Sequence, residues 1–91
     1  MKPTGKYDWQ KGTWDDEFCW QAPIQEEFLA VIIETNRGRQ VMVEYMDYDA
    51  DGGGNTLHTR NVRTTIPSKA RTKRIEATVD ALLEVVKSQL Q

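Results

Sequence analysis

The sequence contains one cysteine, one histidine and three prolines, and it lacks a long apolar segment. A single cysteine forms no intramolecular disulfide, which excludes the small secreted scaffolds that depend on disulfides. The longest apolar run, Phe28 to Ile33, is far shorter than the ~20 residues of a membrane-spanning helix. The N-terminal residues Met1 to Lys6 lack the apolar core of a secretory signal. We therefore expect a cytoplasmic protein that does not enter a membrane.

The length of 91 residues fits one domain with a small core. Residues 1–91 are predicted to form a single domain with three parts. These are an aromatic-rich N-terminal segment (residues 1–22), a β-meander (27–66) and a C-terminal helix (68–90).

The stretch from Phe28 to Thr35 is the most apolar of the chain and is rich in β-branched residues, which favours a strand buried on both faces. A helix over residues 24–36, entered at Pro23 and ending at Gly38, remains the alternative. A tight turn at 36–39 and a second strand at 40–48 follow. A third strand at 56–66 ends before Pro67, which cannot donate to a ladder.

Apolar residues near the C-terminus recur at steps of three and four, which predicts an α-helix. The stripe consists of Ile75, Val79, Leu82, Val86 and Leu90, and Leu83 and Val85 widen it. Ser68 is the candidate N-cap. In the N-terminal segment, Thr13 and Asp16 have the spacing of a helix start, so a short helical turn at 14–20 is also considered. The predicted fold is α+β: a three-stranded antiparallel meander packed by one long C-terminal helix.

The net charge of −2 conceals a segregation along the chain. Residues 1–56 carry 11 acids and 5 bases, and residues 76–91 carry a net charge of −2. Residues 57–75 contain six cations and no acid. The six are predicted to form one partner-binding or phosphate-binding strip along a strand and a helix entrance: Arg60, Arg63, Lys69, Arg71, Lys73 and Arg74. The alternative is that the acidic half of the chain neutralises them within the fold.

The order of a strand, Pro67 and a basic helix entrance resembles the end of a double-stranded-RNA-binding domain. The resemblance implies that the helix entrance contacts phosphates, and it makes direct RNA or DNA binding an alternative function. The first helix of that family has no counterpart here, and the N-terminal half is acidic.

The stretch Asp47-x-Asp49-x-Asp51-Gly resembles the first half of an EF-hand calcium loop. The resemblance implies side-chain ligands from Asp47, Asp49, Asp51 and Asn55. His58 occupies the twelfth position, where the family has a glutamate. Calcium binding at this loop is therefore a second alternative function, and no other cofactor or metal is predicted. A solvated acidic hairpin loop is the competing interpretation.

Aromatic residues are frequent in the polar N-terminal segment, and large aromatics often anchor protein interfaces. The candidate anchors are Trp9, Trp14 and Trp20, unless they cover one face of the small sheet. Cys19 and His58 are too isolated in sequence to suggest a nucleophile and base pair, and Cys19 is expected to be a small buried residue.

No catalytic constellation is apparent, so we expect a non-enzymatic module that binds or inhibits a macromolecular partner. Small size and polarised charge are typical of phage or mobile-element proteins that block a host enzyme. This analogy rests on size and charge alone, because no sequence motif supports it. The partner is expected to be a protein rather than a nucleic acid. An unpaired edge strand would also allow a homodimer by strand addition.

Overall fold

The computed structural model describes residues 3–25, 27–47 and 58–90. The chain forms five strands followed by one helix: β1 (Gln10–Trp14), β2 (Glu17–Ile24), β3 (Phe28–Thr35), β4 (Gly38–Asp47), β5 (His58–Ile66) and α1 (Thr72–Gln89). The strands form one antiparallel sheet in chain order. The predicted α+β class is confirmed, whereas the predicted number of three strands is wrong.

The two additional strands form a hairpin in the N-terminal segment, and the alternative of a helical turn at 14–20 is wrong. Asp15 and Asp16, which suggested a helix start, both have positive φ values, 49° and 66°. Two consecutive residues of this kind form the turn that joins closely paired strands, and aspartate tolerates that conformation. The aspartates that suggest the first turn of a helix are therefore the tip of a hairpin.

The central prediction of a strand at 28–35 is confirmed, and the alternative helix over 24–36 is excluded. Pro23 lies within β2, in register with Leu29 of β3. The pairing with β1 stops at Gln21, so Pro23 occupies a locally unpaired edge of its strand. At such an edge a proline is tolerated because no neighbouring strand needs its N–H.

The main core lies between the sheet and α1. From the sheet it contains Ala22, Ile24, Phe28, Ala30, Ile32, Val41, Val43 and Ile66, and from the helix Ile75, Val79, Leu83 and Val86. A second cluster lies on the other face of the sheet, where Cys19, Val31, Ile33 and Met42 are buried. The alternation within β3 supplies both clusters, which is why its sequence is apolar at every position from Phe28 to Ile33.

The helix begins later than predicted and without the predicted cap. Its N-cap is Arg71, which makes no side-chain capping hydrogen bond, and Ser68 lies in the preceding turn. The predicted stripe is correct at Ile75, Val79 and Val86, which are buried. Leu83, which widens the predicted stripe, is buried as well, whereas Leu82 is half-buried and Val85 and Leu90 are exposed. No helix among the described residues is both long enough and apolar enough to cross a membrane.

The N-terminal segment is fixed to the helix by a buried carboxylate. Glu76, which is 6% exposed, accepts hydrogen bonds from the backbone N–H of Lys6 (3.1 Å), the backbone N–H of Tyr7 (3.1 Å) and Trp9 Nε1 (3.2 Å). Gly5 passes so close that a Cβ there would lie 2.6 Å from Glu76 Cδ. The backbone of the N-terminal segment therefore packs directly against the Glu76 carboxylate, and glycine at position 5 allows this close approach.

One turn further along the helix, Asp80 engages two side chains of the same segment. Lys6 Nζ lies 2.6 Å from Asp80 Oδ2, and the Tyr7 hydroxyl donates to Asp80 Oδ1. The hydrogen bonds from Lys6 and Tyr7 hold the pKa of the Asp80 carboxyl below its ordinary value. Both acids on this side of the helix are thus used to hold the fold together.

Candidate functional site

The six predicted cations do not form one continuous strip. Arg60 lies beside the C-terminal end of α1, where its Nη1 donates to the carbonyl oxygen of Gln89 at 3.3 Å. The other end of the helix, with its 18 residues, is about 27 Å away. Arg60 is therefore separated from the cations at the helix entrance.

Arg63 lies on the other face of the sheet. It pairs in register with Met42, a member of the cluster opposite the helix. Its Nη2 donates to Asn61 Oδ1 at 3.2 Å, so its side chain is directed along β5. The prediction of a shared strip is wrong for Arg60 and Arg63, because the sequence does not reveal which face of a strand a helix covers.

The remaining four cations lie together around the start of α1 and are all exposed. We call them the basic end: Lys69, Arg71, Lys73 and Arg74. The ion pairs found among the described residues are Lys6–Asp80 and Arg39–Glu34, and neither involves the basic end. Within the described part of the chain, the alternative of internal neutralisation therefore finds no support at this site.

The backbone at the basic end adds positive potential. Residues in the first turn of a helix have no intrahelical partner for their N–H groups, and this end of the helix dipole is positive. Arg71 provides no side-chain cap, and the first turn contains no acid. Cations at this position are unfavourable within the isolated chain, by roughly 0.3–1 kcal/mol each when exposed. An anionic partner would remove that penalty.

An open cleft of about 440 Å³ adjoins the basic end, between the start of the helix and the sheet. Its lining includes Phe18, Trp20 and Ile32 from the sheet, and Lys69 and Arg71 from the segment before the helix. Phe18 is 56% exposed, the largest exposure among the described large apolar side chains. It packs edge-to-face on Trp20, with ring centroids 5.4 Å apart. The cleft thus has an apolar wall and a cationic rim.

Arg39 supports this cleft. Its Nη1 donates to the carbonyl oxygen of Ala70 at 3.1 Å, and its Nε donates to Glu34. The first bond joins β4 to the segment that carries Lys69 and Arg71. Arg39 is thereby committed within the chain, and it positions the basic end relative to the sheet.

The predicted aromatic anchors lie in three different environments. Trp9 is completely buried in the main core, so its surface is not available to a partner. Trp14 is half-buried and packs against the second cluster. Trp20 alone lines the cleft beside the basic end, together with Phe18, which the prediction omitted from the anchors. Strand alternation would have placed Phe18 and Trp20 on one face, had this segment been recognised as a strand.

The proposed calcium ligands are largely outside the described residues. Asp47 is the last residue of β4, and Asp49, Asp51 and Asn55 fall in the stretch that is not described. The described residues include no group of three or more side chains arranged to hold a metal ion. Calcium binding stays a prediction.

Cys19 lies in the second cluster with 1% of its surface exposed. Burial raises the pKa of its thiol, which disfavours the reactive thiolate. The side chain of Gln21 donates to its sulfur at 3.4 Å. These surroundings agree with the expectation of a small buried residue.

Comparison of the chain with protein-family models, curated proteins and solved structures finds no match. The chemistry of the candidate site therefore rests on the residues of this chain.

Proposed function

We propose that the protein is a non-enzymatic binding module that masks or inhibits a macromolecular partner, and that its basic end and cleft contact an acidic protein surface. The observation that carries the proposal is the cluster of four exposed cations around an uncapped helix start, with no ion pair among the described residues. Carboxylates on a partner would offset both the mutual repulsion of these cations and their conflict with the helix dipole.

The cleft supplies the apolar contact that a charged patch lacks. Exposed aromatic side chains beside cations are typical of interface centres, since they bury a large area at low cost in side-chain entropy. Phe18 and Trp20 form one wall, and Lys69 and Arg71 lie at the rim. A partner with an apolar side chain next to carboxylates fits this arrangement.

A protein partner is favoured over a nucleic acid because acids flank the cleft on its other side. Asp15 and Asp16 are exposed, and the register places them at the same end of the sheet as the helix start, while Glu34 lines the cleft itself. A phosphate backbone crossing this end would meet three carboxylates beyond the cations. A protein surface, by contrast, can match both signs of charge.

Affinity capture from the native host tests the proposal with a charge-reversal pair. The Arg71→Glu/Arg74→Glu variant should lose the captured partner, or bind it at least tenfold more slowly, with a flatter salt dependence. The matched control is Lys11→Glu/Lys87→Glu, which makes the same change in net charge away from the basic end. Equal capture by both variants would refute a role for the basic end.

Direct RNA or DNA binding is the second candidate, and the four clustered cations favour it as well. A gel shift with duplex RNA and duplex DNA at low salt distinguishes the two functions. A nucleic-acid-binding protein would shift the probe, with a steep loss of affinity as salt rises. Capture that is abolished by nuclease would likewise replace the protein partner with a nucleic acid.

A further inference from the structure

We infer that the outer edge of β5 is a second interaction surface, at which an acidic strand of a partner adds to the sheet. The inference rests on a nine-residue edge strand that bears two exposed arginines and no acidic residue. The inference does not depend on the proposed function, because the β5 edge and the basic end share no residue.

The edge of β5 is open in the described part of the chain. β5 pairs with β4 over all nine residues, and no described strand lies on its other side. Asn61, Arg63, Thr64 and Thr65 are exposed, although residues of both faces are among them. Val62 and Ile66 pack toward the helix, so the face of β5 that points away from the helix is the uncovered one, and an added strand would extend the sheet beside it.

β5 has the features of a strand that accepts another. Its register with β4 is continuous, and it contains neither proline nor glycine. Natural proteins protect exposed edges with bulges, prolines, short strands or charges. Of these devices, β5 has only charge, supplied by Arg60 and Arg63.

The other edge of the sheet is less suitable. β1 has five residues, and its central residue is Gly12. A glycine contributes no side chain to a cross-strand pair. The turn at Asp15 and Asp16 ends this strand and gives it acidic surroundings. The two edges therefore differ in length and in charge.

The two arginines select the chemistry of the partner strand. Two copies of β5 paired antiparallel, in a register that sets Arg60 opposite Arg60 or Arg63 opposite Arg63, would place like charges directly opposite each other, which is destabilising. A strand with glutamate or aspartate would instead form cross-strand ion pairs with Arg60 on one face and Arg63 on the other. The charge of this edge thus favours an acidic strand over a second copy, which is selection by charge.

The test uses a blocked peptide as long as β5, made of valine and threonine with two glutamates three positions apart, so that one glutamate lies on each face of the added strand. Amide hydrogen exchange is measured by NMR on the full chain. Strand addition should slow exchange at least tenfold at alternate β5 amides, which point outward, and leave the amides bonded to β4 unchanged. The same peptide with lysine in place of glutamate should bind at least tenfold more weakly, and a version with two central prolines should not bind.

Charge reversal completes the experiment. Arg60→Glu/Arg63→Glu should reverse the preference, so that the lysine peptide binds more tightly than the glutamate peptide. Lys11→Glu on β1 is the matched control and should keep the original preference. Arg63→Gln serves as the second variant if the double variant fails to fold, and it should weaken the glutamate peptide alone.

Four results would overturn the inference. They are protection at β1 instead of β5, equal affinity for the glutamate and lysine peptides, no binding of the glutamate peptide at millimolar concentration, and a dimer in sedimentation whose β5 amides are already protected. The Arg71→Glu/Arg74→Glu variant should still bind the peptide, so a failure of the proposed function is distinguishable from a failure here.

Discussion

The two charged groups along α1 serve opposite purposes. On one side, Glu76 and Asp80 are engaged by the N-terminal segment through backbone and side-chain donors. At the start of the same helix, four cations have no ion pair within the described residues. The acids hold the fold together, whereas the cations work against the helix dipole. Residues that lower the stability of the fold and have no partner within it are candidates for binding another molecule.

The largest change in the free energy of unfolding is expected for Glu76, one of the two acids that hold the N-terminal segment. Glu76→Ala removes the acceptor of two backbone N–H groups and the Trp9 indole N–H, and it leaves these donors without a partner. We expect the free energy of unfolding to fall by about 3 kcal/mol, since hydrogen bonds to a buried charged group are worth more than neutral ones. Urea denaturation followed by tryptophan fluorescence measures the loss.

Glu84→Ala is the matched control for this change, because Glu84 is exposed on the same helix. It should change the free energy of unfolding by less than about 0.5 kcal/mol. Similar losses in the two variants would show that Glu76 does not dock the N-terminal segment.

A second prediction concerns the close approach of the N-terminal segment to this carboxylate. Gly5→Ala places a Cβ 2.6 Å from Glu76 Cδ, in a site where the carboxylate is held by its donors. We expect a loss of about 2 kcal/mol, typical of overpacking. Thermal melting of Gly12→Ala is the comparison, since its Cβ would meet the Gln21 side chain at 2.5 Å. Gln21 can turn away, so this variant should lose less stability than Gly5→Ala.

At the basic end, a single mutation should raise the stability of the fold and weaken binding of the partner. Arg71→Asp provides the missing N-cap side chain and replaces a cation with an acid next to the helix dipole. We expect a gain of about 1 kcal/mol in the free energy of unfolding. The same variant should bind the partner less well. Chemical denaturation and a binding assay on the same preparation check that stability rises and affinity falls. A loss of stability would show that Arg71 does not oppose the helix dipole.

The parts of this fold that the sequence predicts are those with a clear period. The strand at 28–35 and the stripe through Ile75, Val79 and Val86 follow from side-chain spacing. The sequence does not predict the hairpin of β1 and β2, because Asp15 and Asp16 suit a helix start as well as a turn with positive φ. No local pattern separates the two, and the neighbouring β3 decides between them by pairing with β2.

The candidate site was predictable in composition but not in arrangement. The cations at 69–74 remain together because they are neighbours in sequence. Arg60 and Arg63 separate because alternate residues of a strand face opposite sides. The docking of Lys6 and Tyr7 on Asp80 joins residues far apart in sequence, and a single chain carries no signal for such a contact.

Glu44 is a second buried carboxylate, and its comparison with Glu76 shows what hydrogen-bond donors contribute. Glu44 is 5% exposed on the face opposite the helix, between Leu29 and Asn61 in register, and among the described residues no side chain donates to it. Burial raises the pKa of its carboxyl above the ordinary value of 4.5. The folded state therefore binds a proton more tightly than the unfolded state, and stability falls as pH rises from about the unfolded pKa through the folded one.

Glu44→Gln removes this ionisation. We expect the variant to be more stable than the natural chain at pH 7, by about 0.5 kcal/mol, because glutamine avoids the penalty of a buried charge. The difference should shrink as pH falls through the ordinary value of 4.5, below which Glu44 becomes protonated in the folded and the unfolded state alike. Urea denaturation of both proteins across this range checks the sign. A gain that persists unchanged at low pH would mean that packing, and not the buried charge, distinguishes Glu44 from the well-bonded Glu76.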